Sequence, residues 1–125
     1  SATQTVAIQE TVNANTEIVV TGVKVQAKVT VAENSLDTAT TTNLTGNATA
    51  TYNGKNKAAI ESEWLDVGST VAVVVTVPGV SGNGVTITIA GQGTDVTTGT
   101  DVEVEGSYTV VAGTNTLTVQ AGNKV

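Results

Sequence analysis

The sequence predicts an all-β protein, a two-layer β-sandwich of Ig-like or jelly-roll type with an extended N-terminal strand, on three observations. Thr and Val dominate the 125 residues, and β-branched side chains fit a pleated, half-buried surface. Short stretches alternate apolar and polar residues with a period of two. Gly, Asn and Pro separate those stretches at the intervals a sandwich needs. The length suits one domain with a modest core.

Residues 5–12 alternate first. Val6, Ile8 and Val12 fall on one side and Thr5, Ala7, Gln9 and Thr11 on the other, with Glu10 interrupting the apolar row. The spacing predicts a strand that starts almost at the first residue. NANT, residues 13–16, is a break or linker, and residues 17–125 form the body. EIVVT, 17–21, is a second strand. Residues 23–31 are the clearest: Val23, Val25, Ala27, Val29 and Val31 face one way, Lys24, Gln26, Lys28 and Thr30 the other. That is one-sided burial. A polar connection covers 32–47. A strand ends at Tyr52, Asn53-Gly54 makes a type I′ hairpin turn, and residues 55–60 are the returning strand. Residues 61–69, with the single Trp64, are a loop or one helical turn. The nearly continuous apolar run 70–77 predicts a central strand buried on both faces, ended by Pro78-Gly79. Residues 85–90 alternate again and GQG breaks them. Strands at 101–105, 107–112 and 116–120 complete the set, with turns at Gly106 and at 113–115.

The chemistry is as informative for what it excludes. The chain has no His and no Cys, so the usual general base and thiolate nucleophile are missing. No Ser stands in a nucleophile-elbow or Ser-x-x-Lys context. An aromatic content of 2% is thin material for a sugar-lined cleft. An enzyme is therefore not expected. A net charge of −6, with Lys24, Lys28, Lys55, Lys57 and Lys124 as the only cations, argues against nucleic acid. No apolar run is long enough to span a bilayer, so membrane insertion is not expected. The opening Ser-Ala-Thr reads as a mature terminus left by leader cleavage. With the Thr/Asn/Gly-rich surface, it places the protein outside the cell or at the cell surface.

Four features carry candidate sites. Asp101, Glu103 and Glu105 project from one face of one strand, about 7 Å apart by the rise per residue. They read as a calcium site closed by Asp95 or a loop carbonyl, or as a solvated face that protects a sheet edge. Glu61, Glu63 and Asp66 around Trp64 form a second acidic patch with the same two readings. Asn43-Leu44-Thr45 and Asn47-Ala48-Thr49 are glycosylation sequons in the polar connection. Trp64 either stacks on a sugar or, as lone Trp residues more often do, packs at the core or an interface. Lys24 and Lys28 lie on the polar side of their strand, which argues against an isopeptide bond.

The alternating segment at 3–12, the Asn-rich break at 13–16 and the Thr/Val/Gly-rich sandwich after it carry a family resemblance. The chain resembles subunits of extracellular filaments built by donor-strand complementation, in the style of archaeal bundling pili and threads and the related bacterial biofilm-fibre protein. Its short length and low aromatic content depart from the bacterial fibre protein. The resemblance implies a head-to-tail homopolymer with glycans on its surface. In it the N-terminal strand of one subunit, with Val6, Ile8 and Val12 as the buried side chains, inserts into the next. No cofactor is expected beyond the candidate calcium. The alternative is an Ig-like cell-surface adhesin or a carbohydrate-binding module.

Overall fold

The computed structural model describes Thr5, Ala7, Gly22 and residues 24–125. The expected strands at 5–12 and 17–21 and the linker at 13–16 lie outside the described residues. The rest is an all-β sandwich of nine strands and one short helix among the described residues: β1 (Gln26–Ala27), β2 (Val29–Asn34), β3 (Thr49–Tyr52), α1 (Lys57–Glu61), β4 (Leu65–Asp66), β5 (Thr70–Val77), β6 (Val85–Ile89), β7 (Gln92–Val96), β8 (Val102–Thr109) and β9 (Asn115–Asn123).

Two sheets face each other. One has the order β2-β9-β6-β7, the other β3-β5-β8, and β1 and β4 form a separate ribbon. The first and last strands of the larger sheet, β2 and β9, run parallel, with Val29 opposite Asn115. The remaining pairs are antiparallel. The inner faces follow from strict alternation. Val71, Val73, Val75 and Val77 of β5 are all buried, as are Val85, Ile87 and Ile89 of β6 and Leu117, Val119 and Ala121 of β9. Each such side chain contributes roughly 1.5–3 kcal/mol when removed from water. The outer faces carry Thr, Gln, Ser and Glu.

The structure corrects several expectations for physical reasons. The run 23–31 is not one strand. The ladder breaks at Lys28, where the chain leaves the β1/β4 ribbon and joins the larger sheet, and Val25 is exposed. β5 is central in its sheet but buried on one face only, since Thr70, Ala72 and Thr76 are exposed. The Asn53-Gly54 turn is present, with φ of 52° and 75°. It closes a single bridge between Tyr52 and Lys55. The expected returning strand is instead α1, because the Asn56 side chain caps it by accepting from Ala59 N–H at 2.8 Å. Ala58 and Ala59 then favour helix. The sequence places a break at GQG, residues 91–93, where the structure begins β7; four of its five residues are polar or Gly and exposed, so no periodicity marks it. A turn with Ala90 at φ 49° and Gly91 at φ 85° leads into it.

Residues 101–105 and 107–112, expected as two strands, form the continuous β8. Gly106 is not a turn there. A Cβ at Gly106 would lie 2.7 Å from Ile89 Cγ2, so the missing side chain lets the two sheets approach. At the end of β8, the buried Asn115 holds the turn: its Oδ1 accepts from Tyr108 Oη and Val111 N–H, both at 2.8 Å, and its Nδ2 donates to Val111 O at 2.8 Å. The substitution Gly106→Ala is expected to cost about 1–3 kcal/mol by overpacking against Ile89, read as a shift in the urea midpoint. A neutral result would contradict the close contact.

Candidate functional site: an open side of the sandwich

A sandwich has two lateral sides, and in this one they are treated differently. On one side β2 and β3 are the edge strands, and α1 packs against both. Ile60 anchors the helix in the core with no exposure. The Glu61 carboxylate accepts the outward N–H of Val31 at 2.8 Å, so it occupies a ladder donor that an edge strand would otherwise present. Tyr52, fully buried beside α1, has no hydrogen-bond partner for its hydroxyl among the described residues. Burial, and then the negative charge of Glu33, push its ionisation well above the ordinary tyrosine value. It therefore stays neutral.

The other side is open. β7 is the edge of the four-stranded sheet and β8 of the three-stranded sheet. β8 is paired with β5 over all eight residues and with nothing on its other edge among the described residues. Between the two edges runs a groove of about 360 Å³, walled by residues 94–98 and 102–105. Its apolar floor comes from the buried Val96 and Val104 and the half-buried Val102. Its rim carries Asp95, Glu103 and Glu105. The polar run of β7 concealed one wall of this groove from sequence reading. Continuous alternation from Val102 to Tyr108 across Gly106 was the signal that could have revealed the other.

The candidate residues distribute as follows. Val6, Ile8 and Val12 lie outside the described residues. Glu103 and Glu105 are exposed on β8. Asp101, just before the strand, accepts from Gly79 N–H at 3.3 Å. Asp95 is engaged by Lys124 at 3.0 Å and Thr86 Oγ1 at 2.9 Å. Those two contacts, Lys124 first, hold its carboxyl below the ordinary value. Among the described residues no three of Asp, Glu, His or Cys gather at metal-ligand spacing, so the calcium constellation of Asp101, Glu103, Glu105 and Asp95 is not brought together.

Of the sequons, Asn43 is half-buried and its Nδ2 donates to Gly84 O at 2.9 Å. Asn47 is exposed and its Oδ1 accepts from Thr38 N–H at 3.2 Å, leaving its Nδ2 without a hydrogen bond among the described residues. Asn47 is the better placed of the two. Trp64 is 50% exposed, with the Lys28 ammonium 4.9 Å from its ring centroid. A sugar stacking on that face would have to displace the cation. Lys24 lies 3.4 Å from Asp66 and is exposed like Lys28, so both ammonium groups lie on the surface.

These features define the class, an all-β sandwich sealed on one side and open on the other. Comparison with protein-family models, with curated proteins and with solved structures gave no match. Among the described residues no helix is long and apolar enough to cross a membrane. Treatment with EDTA is expected to leave the melting temperature unchanged. A fall that depends on metal concentration would show that the β8 carboxylates share an ion after all.

Proposed function

We propose that this chain is the structural subunit of an extracellular filament, joined head to tail by residues 1–12 of one copy lying along β8 of the next. The observation that supports the reading is the eight-residue β8 edge with a partner on one side only, set beside an apolar-floored groove. Such an edge is a template for strand addition. Contacts of this heterologous kind, when the rotation does not close, extend into filaments.

Magnitudes favour β8 over β7 as the accepting edge. Burying Val6, Ile8 and Val12 gains roughly 1.5–3 kcal/mol each. Ordering the inserted backbone costs roughly 1–2 kcal/mol per residue. Side chains alone do not cover that cost, so the ladder must contribute along its length. β8 offers eight residues, whereas β7 offers five, of which only Val96 is buried. Glu10 shares its parity with Ile8 and Val12 and would be the one charge on the inserted face, which weakens the junction. Glycans on this surface belong at Asn47, and no catalytic role is assigned to any residue.

The test uses the body lacking residues 1–12 with a synthetic peptide of that segment. The body is expected to be monomeric and to capture the peptide. Ile8→Asp in the peptide should abolish capture, and Glu10→Gln should tighten it several-fold. In the intact protein, Ile8→Asp should abolish polymers seen by negative-stain microscopy while leaving the body folded. An intact wild-type chain that stays monomeric at all concentrations would remove the filament reading in favour of a cell-surface adhesin module.

A further inference from the structure

We infer that the pocket between Trp64, Lys28 and residues 113–115 binds an anionic sugar, its negative substituent on the Lys28 ammonium and its ring on the Trp64 indole. The site stands apart from the β7/β8 edge and does not depend on the filament reading.

The β1/β4 ribbon builds it. Ala27 pairs with Leu65, so the next residues outward, Lys28 and Trp64, meet at the end of the ribbon, with the ammonium 4.9 Å from the ring centroid. The turn after β8 supplies the facing wall. Asn115, 2% exposed, fixes that turn by bonding both backbone groups of Val111 at 2.8 Å, and its Nδ2 donates to Lys28 O at 3.4 Å. One buried side chain thus ties the turn to the backbone of the residue that carries the cation. Between them lies a space of about 260 Å³, lined also by the exposed Thr30 and Thr114. It is toward the small end of ligand pockets, with room for a sugar unit rather than for a strand or helix of another protein.

The charge of the lining distinguishes this pocket. The chain carries −6, and the β7/β8 groove is rimmed by Asp95, Glu103 and Glu105. The cleft beside Asn47 likewise contains Glu33 and Asp37. The Trp64 pocket has no carboxylate in its lining. Ion pairs among the described residues engage Lys24, Lys55 and Lys124, whereas Lys28 faces an aromatic ring instead of an acid. A half-exposed indole beside an ammonium and the hydroxyls of Thr30 and Thr114 is the set an acidic sugar needs. The indole offers a flat apolar surface to the C–H face of the ring, the ammonium meets the acid, and the threonines meet the ring hydroxyls. A neutral sugar would have to displace Lys28 from the indole and offer it nothing in exchange. An anionic one replaces the cation–π contact by a charge-assisted hydrogen bond and bares the ring for stacking.

Trp64 is the single tryptophan, so its fluorescence reads the site directly. The intact chain is titrated with trigalacturonate, with a sulfated galactose trisaccharide and with neutral galactotriose. At least one of the two anionic sugars is expected to change the emission saturably and to bind about ten-fold or more tighter than galactotriose at low salt. Whichever does so identifies the anionic substituent. Lys28→Gln should weaken that binding by about ten-fold or more, and Lys28→Arg, which keeps the charge, should retain it. Trp64→Ala, followed by calorimetry, should abolish it. Equal affinity for galactotriose, or binding that survives Lys28→Gln, would overturn the inference. Acetate competing as well as the trisaccharide would overturn it too, since that is an ion pair at a surface lysine with no part for the ring. So would the lack of a saturable response to either anionic sugar.

Discussion

The valine row of β5, packed against the inner faces of β6 and β9, is the contact on which the rest of the molecule depends. Val71, Val73, Val75 and Val77 are spaced by the two-residue period of a strand and are fully buried. A one-residue slip would turn the whole row to solvent, so this row fixes the register of both neighbours of β5. From β8 that register runs on to the Gly106 contact with Ile89, which sets how closely the two sheets meet. Among the described residues the core is built almost wholly from Val, Ile, Leu and Ala, so its contribution there is shape and volume.

The sandwich has unequal sides, and that inequality is the feature the proposed function rests on. α1 closes the β2/β3 side with Ile60 beneath it and the Glu61 carboxylate on Val31 N–H. The β7/β8 side has no counterpart among the described residues. Negative charge at Asp95, Glu103 and Glu105 lines the rim of that open side, as suits an exposed edge that is protected from indiscriminate pairing. Any partner for this edge has to supply both backbone groups and apolar side chains, and residues 5–12 have that composition.

Much of the fold was legible in the residues. The apolar run at 70–77 marks a strand by its length and β-branched residues, the alternation at 85–90 and 116–120 does so because a half-buried sheet writes its two faces into the sequence, and Asn53-Gly54 marks its turn because both residues need positive φ. What stayed hidden has local causes. β7 buries only Val96, so no periodicity reports it. α1 is five residues long, and its Asn56 cap follows directly on a hairpin signal that predicts a returning strand. Gly106 carries the sequence mark of a turn, while its role is to make room for Ile89 across the sandwich, a contact that only the fold creates. The break at Lys28 is a change of sheet, which alternation alone does not record. The sequence raises a vacant edge only as one of two possibilities for the N-terminal strand, whose Val6, Ile8 and Val12 lie outside the described residues. The place of the open side between β7 and β8 is not legible there, because one wall is polar and the other is split at the glycine.

Hydrogen exchange along β8 tests the central claim most directly. In the monomeric body without residues 1–12, amides from Val102 to Thr109 that face β5 should be protected, while those on the other edge exchange at near-solvent rates. In the polymer, both sets should be slow. Full protection of every β8 amide in the isolated monomer would show that the edge is already satisfied, and that nothing in the body waits for another copy.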